Sequence, residues 1–463
     1  MARFDTGADR RHAVVVGGGF AGAAAATALA EAGVAVTLVE ERGTLGGRTS
    51  SYRDGVTRQD VDNGQHLFLG AYRDTRAFLR RLKVENRLRW LPGASTEFYA
   101  RSGKKSVLNP GRLPGALGFL RGVLGFGALT WRDKASLLYG LTRLRWDRSD
   151  NHGGRTVAAW LKGLRQTPGA LRAFWDPLCY ATLNERPDRA AADALVSVLR
   201  EGFLKSVEDR ALGYSTVPLG RLWATELPAY LKNQGGDVAA KIRATGFVIE
   251  DGRVRALEIE GGTPVPADVF VSAVPLRAAR ALMGPRVPAL SDLPSDASPI
   301  AAVNFWFSRP PFAAPWVGFL DLDIQWGFNR EVLWGRGAEG QVSLVLSAGR
   351  DHVARSSDQL IALALADLRR AFPVFKEEPT HATVTWEKEA TPAPTPGFWR
   401  GRPGVTTPLA NLFLAGDWID AGLPPTIEAA CRSGHRAAAF ALRWLDGQKE
   451  DECLKPYCST AMA

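Results

Sequence analysis

Apolar positions change their period several times along the 463 residues, and each change marks an element. Val14, Val15 and Val16 form a short β-branched run, the pattern of a strand buried on both faces. Glycines end the run. Ala23 to Ala32, almost all alanine and leucine, then reads as a helix that stops at Gly33. A second strand, Val34 to Val39, closes on Glu40. Further along, Gly246 to Glu250 and Val254 to Ile259 flank Asp251-Gly252, which predicts a hairpin. Asp268 to Pro275 and Asn411 to Ala415 contain further short strands. Residues 76–215 read as mainly helical, with Trp160, Leu161 and Leu164, and again Ala194, Leu195, Val198 and Leu199, at helical spacing. Residues 291–400 read as strand-rich, notably Ala301 to Ser308 and Val342 to Ser347. Gly/Pro-rich stretches at 284–299 and 391–404 read as loops, and no repeat recurs at a fixed period.

The first strand runs into Gly17-Gly18-Gly19-Phe20-Ala21-Gly22, a GxGxxG set between a strand and a helix. Gly17 permits the tight turn, Gly19 lets backbone approach a pyrophosphate, and Gly22 lets the helix pack close to the strand. The helix N-terminus offers N–H groups and partial positive charge to phosphates. Glu40 falls about 20 residues past the glycines, where a carboxylate accepts from a ribose diol. Strand, loop, helix, strand and acid in register predict a dinucleotide site.

Hydrophobic content of 46% and charged content of 23% fit a globular protein of two to three domains. Cys179, Cys431, Cys453 and Cys458 are too scattered for a disulfide framework or a zinc site, so no metal is expected and the setting is a reducing cytoplasm. Arg10, Arg11 and His12 precede an apolar run too short for a secretion signal, and no window is long enough to span a bilayer. The net charge of +10 includes clusters at Arg73, Arg76, Arg80, Arg81 and Lys83, and at Arg143, Arg145 and Arg148. Such a balance favours anionic partners such as a membrane surface, or is a solvated basic face; no nucleic-acid module is present. Leu108 to Trp131 is strongly apolar, broken by Arg112, Arg121 and several glycines. It is either a buried helical hairpin or an interfacial segment, and its glycines favour the interfacial reading.

Gly43-Thr44-Leu45-Gly46-Gly47-Arg48 resembles the LGGR extension that continues around FAD in flavoprotein oxidases and desaturases. Leu414-Ala415-Gly416-Asp417 resembles the C-terminal motif of the same superfamily, in which the Asp binds the ribityl and pyrophosphate region. Pro424-Pro425-Thr426 then opens a helix whose free N–H groups can face an anionic flavin edge. Asp62-Asn63-Gly64-Gln65-His66, Trp175-Asp176-Pro177-Leu178-Cys179 with Leu183-Asn184, and Gly422 to Glu428 resemble blocks of the bacterial hydroxysqualene dehydroxylases, sisters of phytoene desaturases and amine oxidases. Tyr180-Ala181-Thr182 and Glu185-Arg186 depart from the small apolar residues of that pattern. The resemblance implies an α/β fold. A Rossmann-type FAD-binding domain, discontinuous over 1–75, 216–290 and 404–446, carries an inserted α+β substrate domain at 76–215 and 291–403, and 447–463 is a tail. It implies FAD held by Gly17, Gly19, Phe20, Ala21, Gly22, Glu40, Glu41, Arg42, Gly46, Gly47, Arg48, Asn63, Gly64, Gln65, His66, Val238, Gly416, Asp417, Pro425, Thr426 and Ile427.

The reaction it implies, within squalene and hopanoid synthesis, removes an allylic hydroxyl from a C30 isoprenoid alcohol, with hydride from reduced FAD. Hydroxide leaves poorly, so a proton must reach the oxygen. The allylic cation needs a dry aromatic lining, and Trp306, Trp326, Trp334 and Trp386 lie in the expected substrate region. Asp62 or His66 is the candidate proton donor, with Asp176, Tyr180 and Glu185 next; the plain alternative is that the 62–66 block only hydrogen-bonds its own loop. The alternatives to a dehydroxylase are a carotenoid-type desaturase, a flavin amine oxidase, or a non-catalytic flavin-bound sensor. An unidentified electron donor and a peripheral seat on the cytoplasmic face of the membrane complete the expectation.

Overall fold

The computed structural model describes residues 10–91, 93, 95–113, 115–146, 152–203 and 205–448. Arg148, Cys453, Cys458 and nearly all of the 447–463 tail lie outside the described residues. Five strands form a parallel sheet: β1 (His12–Val16), β2 (Ala35–Glu40), β3 (Asp237–Ala240), β4 (Val269–Ser272) and β5 (Leu412–Leu414), in the order β3-β2-β1-β4-β5. Every β1 residue is buried because both faces of the sheet are covered. One face carries α1 (Phe20–Glu31) and the C-terminal helix Ile427–Leu445. A Cβ on Gly434 would lie 2.2 Å from the Ala21 carbonyl oxygen, so the two helix backbones meet at closest approach. The hairpin packs on the other side, with Phe247 edge-on to Phe270 at 6.0 Å. Its strands, Ala244–Glu250 and Arg253–Ile259, are antiparallel, and the turn residues Asp251 and Gly252 both have positive φ, +47° and +72°.

Helix α2 (Arg73–Arg81) also belongs to this core. Phe78 packs edge-on against Phe20 and Trp223. The helical stretch that begins near residue 76 therefore starts against the nucleotide-side sheet, not in the other half. Three members of the first arginine cluster are paired there: Arg76 with Glu85 at 2.7 Å, Arg81 with Glu31 at 2.8 Å and Arg73 with Asp209 at 3.2 Å. Most of that cluster is therefore held in ion pairs and does not form a free basic patch.

A seven-stranded sheet builds the other half, in the order 381–392, 297–306, 341–346, 326–329, 316–320, 96–100 and 105–108. Ala297–Trp306 and Gln341–Leu346 overlap the runs of β-branched and aromatic residues at Ala301 to Ser308 and Val342 to Ser347. Thr96–Ala100 and Lys105–Leu108 do not. They lie inside the stretch read as mainly helical, and they are strands because Thr96–Ala100 pairs in parallel with Trp316–Leu320, more than 200 residues away. The helix Ser357–Ala371, opened by a Ser356–Gln359 capping box, packs Leu360, Ala364 and Leu368 into the same core as Phe305, Phe319 and Leu344 of this sheet.

Helices α3 (Gly115–Gly125) and α4 (Trp131–Trp146) resolve the apolar stretch. Val123, Phe126 and Leu129 are buried. Leu113, Leu117, Leu120 and Leu124 are exposed by 42%, 59%, 39% and 41%, followed by Trp131, Tyr139 and Trp146 at 73%, 52% and 78%. At 100° per residue Leu117, Leu120 and Leu124, the three of these on α3, fall within roughly 60° of one another. The segment is neither a buried hairpin nor wholly exposed: it has one packed face and one open apolar stripe.

Candidate functional site

The loop after β1 has the shape a pyrophosphate needs. Gly17 sits at φ +105°, and a Cβ there would come 2.7 Å from the Ala273 carbonyl oxygen. A Cβ on Gly22 would lie 1.9 Å from the Gly17 oxygen, so Gly22 fixes how closely α1 meets the loop. A Cβ on Gly19 would meet nothing within 4 Å. Gly19 is thus the glycine whose missing side chain leaves open room, at the N-terminus of a helix with no side-chain cap and no acid in its first turn. Glu40 accepts from the Gly18 N–H at 2.6 Å and the Arg42 N–H at 2.8 Å, and it lines the same space. A carboxylate has about four acceptor positions, so ribose hydroxyls can still be received.

The space continues as one cavity of about 890 Å³. Phe20, Ala21, Glu41, Arg42, Gly46, Gly47 and Arg48 line it, as do Gly64, Gln65, His66, Gly416, Asp417, Pro425, Thr426 and Ile427. Arg48 donates to Asp417 at 2.7 Å, which joins the LGGR-type segment to the C-terminal motif, and to the Ala390 carbonyl at 2.9 Å. Thr426 caps the C-terminal helix by accepting from the Ala429 N–H at 3.1 Å, so that helix also opens onto the cavity. Beyond these residues the walls are Phe98, Phe174, Phe203, Trp316, Trp326 and Phe328.

Three expected residues sit elsewhere. Val238 pairs with Leu38 in the sheet, and Ile242, Arg243 and Ala244 line the cavity in its place. Asn63 donates to Glu387 at 2.8 Å, away from the cavity. Asp62 is 1% exposed and fully engaged: it accepts from Ser51 at 2.6 Å, from the Leu219 N–H at 2.9 Å and from Arg330 at 2.9 Å. Burial pushes its carboxyl above the ordinary range, against the pull of Arg330 and of the Ser51 and Leu219 hydrogen bonds. With no oxygen on the cavity, Asp62 cannot protonate anything bound there.

His66 lines the cavity but is not poised as an acid. Its Nδ1 lies 3.1 Å from the Gly64 carbonyl oxygen, which can only accept, so Nδ1 carries the proton. Burial holds the imidazole neutral, and Arg48 and Arg330 add to the effect. Nε2 is therefore an acceptor. Glu185, with a fully buried side chain, pairs with Arg350 at 3.1 Å. Asp176 lies outside the lining, its carboxyl raised to about 6 by burial and by Asp321. Tyr180 does line the cavity, and burial with the nearby Asp176 pushes its phenol to about 12. Of the four tryptophans in the expected substrate region only Trp326 reaches the cavity; Trp306 donates to Gln59 and Trp334 stacks under Arg330. Sequence reasoning missed Arg330, since nothing local marks an arginine whose partners lie 265 and 268 residues away.

Residues 20–442 match the family model described as flavin containing amine oxidoreductase. The chain belongs to that family. It is 30% identical over 437 residues to the hydroxysqualene dehydroxylase of Rhodopseudomonas palustris, covering 92% of this chain and 97% of that one. It is 25% identical over 462 residues to the 15-cis-phytoene desaturase of Synechococcus elongatus, covering 92% and 94%. Among solved structures, cyclohexylamine oxidase from Brevibacterium oxydans superposes with a TM-score of 0.69 at 16% identity, over 94% of this chain and all of that one. This family member is an FAD-dependent oxidoreductase. The open cradle at Gly19, the uncapped helix beside it and the Arg48–Asp417 pair between the two ends of the chain fit FAD.

Proposed function

We propose that this flavoenzyme removes the hydroxyl group from a long isoprenoid alcohol of the hydroxysqualene type, giving squalene for hopanoid synthesis. One observation carries the reading: a single cavity runs from the glycine-rich loop to a wall of six aromatic rings. A substrate with one polar group and a long hydrocarbon body matches that gradient. Gly17 to Ala21 would take the pyrophosphate, Glu40 the ribose, Arg48 and Asp417 the ribityl region, and the backbone at Pro425 to Ile427 the flavin edge. Bound and reduced, FAD supplies a hydride. The substrate C–O bond breaks, its oxygen leaves as water on gaining a proton, and the carbon ends with a new C–H bond. The chain's own work is to exclude water and to present the Trp316 and Trp326 faces to the allylic cation. Tyr180 is the proposed proton donor, the one acid considered that both lines the cavity and holds its proton at neutral pH. Anaerobic holoenzyme reduced with dithionite should convert hydroxysqualene to squalene, read by mass spectrometry. If it leaves the alcohol intact while oxidised enzyme desaturates a polyene, the protein is a carotenoid-type desaturase instead.

The same reading includes an anionic membrane. Among the described residues no helix is long and apolar enough to cross one. The leucine stripe of α3 is flanked in the chain by exposed Arg112 and Arg121, and α4 carries exposed Arg132 and Arg143. On the opposite side of α3, Phe119 touches Phe174 and Phe203, both cavity residues. The helix thus lies between the stripe and two cavity-lining rings, which suits a peripheral seat on the cytoplasmic leaflet and a substrate drawn from lipid. An external electron donor would return the cofactor to its reduced form.

A further inference from the structure

Gln65 and His66 line the cavity side by side, and each is locked into one hydrogen-bonding sense. Arg330, 1% exposed, sets the first. Its Nε donates to Ser343 Oγ at 3.1 Å, a terminal nitrogen donates to Asp62 Oδ2 at 2.9 Å and to Gln65 Oε1, and its guanidinium lies 4.4 Å from the Trp334 ring centre. A guanidinium has only donors, so the Gln65 atom that faces it must be the carbonyl oxygen. The amide nitrogen is turned away from Arg330. It is buried and has no hydrogen-bond partner among the described residues. A buried amide donor left unpaired is unfavourable, and the open side of Gln65 is the cavity. His66 is locked in the opposite sense: Nδ1–H donates to the Gly64 carbonyl, which leaves the Nε2 lone pair as its free function.

A hydroxyl group is both acceptor and donor, and this pair offers one of each in the cavity that the aromatic wall also lines. We propose that Gln65 and His66 form the receptor for the substrate hydroxyl, Gln65 Nε2 donating to its oxygen and His66 Nε2 accepting its hydrogen, with Arg330 as the positioning residue. The inference rests on the alcohol reading above and deepens it. A hydrocarbon of the same length would leave both polar atoms unpaired, so the device selects alcohols over polyenes and over the product. It also gives a reason to bury the Asp62–Arg330 pair under the loop: the pair sets the amide orientation, and Asp62 acts on the reaction only through it.

Oxidised FAD-loaded enzyme in detergent, which cannot turn over, is titrated with hydroxysqualene and with squalene, and binding is read from the flavin absorbance. Wild type should favour the alcohol by about tenfold or more, as a site built to pair a hydroxyl does. Gln65→Glu keeps the shape and the Arg330 contact but replaces the donor with an acceptor. It should bring the two affinities within about threefold by weakening the alcohol alone. His66→Phe and Arg330→Met should act in the same direction, and Arg330→Lys should restore part of the preference. If wild type favours the alcohol and Gln65→Glu still does, this receptor is overturned while the alcohol reading survives. If Gln65→Glu weakens both ligands equally, or loses FAD, Gln65 serves the flavin or the loop and the receptor is likewise overturned. A wild-type enzyme that shows no preference overturns the alcohol reading itself, and the receptor with it.

Discussion

At the scale of single residues, glycines of one motif separate architecture from binding. Gly19→Val should leave the fold intact, since its Cβ meets nothing and its φ of −84° suits any residue, yet abolish FAD binding by filling the pyrophosphate space. Gly22→Ala should unfold the region, because its Cβ would lie 1.9 Å from backbone. Flavin titration and thermal melts of both variants check the contrast; a Gly19→Val protein with wild-type FAD affinity would show the loop is misread. Tyr180 and Asp62 make a second contrast. Tyr180→Phe should slow dehydroxylation roughly 100-fold with FAD still bound, the usual scale for a general acid. Asp62→Asn should instead lower stability, by about 3–5 kcal/mol, because it removes the counter-charge of the buried Arg330. Equal turnover in Tyr180→Phe and wild type would move the acid elsewhere. Asp176 carries a pH signature. Its carboxyl, raised from 3.8 to about 6, is comfortable only when protonated. Its folded-state value exceeds the unfolded one, so the penalty is absent below about pH 4 and grows as pH rises through 6. Asp176→Asn should therefore match wild type at pH 4 and exceed it by about 1–2 kcal/mol at pH 8, once partial exposure is allowed for. Denaturant midpoints at the two pH values decide it, and an equal gap at both would refute the burial argument.

Elements decide what a residue list cannot. Leu108 to Trp131 is apolar enough to suggest either a core hairpin or an interfacial segment, and the choice depends on which side of the helix meets the rest of the chain. With Val123 and Phe126 inward and Leu117, Leu120 and Leu124 outward, α3 carries both roles on opposite faces. Changing the three outward leucines to serine should cost little stability, because exposed side chains have little burial to lose. It should release the protein from anionic liposomes, as measured by co-sedimentation at low salt. Val123→Ser should do the reverse: retain affinity per folded molecule but melt earlier. Unchanged sedimentation of the triple variant would assign membrane binding to another surface. The two short strands at 96–108 teach the complementary lesson. Their five and four residues carry weak alternation, and partners from distant residues, not local propensity, make them strands. By contrast, the hairpin at Asp251-Gly252 and the Val14–Val16 strand are legible because turn chemistry and β-branching are local signals.

At the scale of the whole molecule, the same division governs the site. The cavity-lining residues legible in sequence, Gly17 to Ala21, Glu40, Gly46 to Arg48 and Asp417, are marked by backbone shape or a motif-specific charge, and each is readable within a few positions. The hidden ones, Arg330 over Gln65 and Ile242 to Ala244 at the nucleotide end, are placed by long-range packing. This discontinuity has a thermodynamic consequence. Segments from 12–40, 237–272 and 412–445 build one sheet and its helices, and Arg48 reaches across 369 positions to Asp417 beside the cavity that both halves line. None of those segments holds a complete core, so the chain should unfold as one unit, although its length would allow two. FAD binds the native state at the centre of that unit. At a free concentration of about 100 Kd it should add roughly 2.7 kcal/mol to the stability of both halves together. Tryptophan fluorescence, which samples Trp223 and Trp418 in the half with the parallel sheet as well as Trp316, Trp326 and Trp334 in the other, should then show one transition at the midpoint of flavin release, and both should shift together as FAD is added. Arg48→Met should reduce the shift by removing the link between the two ends of the chain. A tryptophan transition that stays fixed while flavin release moves with FAD would mean that the halves unfold independently, and that the cavity joins two stable bodies rather than closing one.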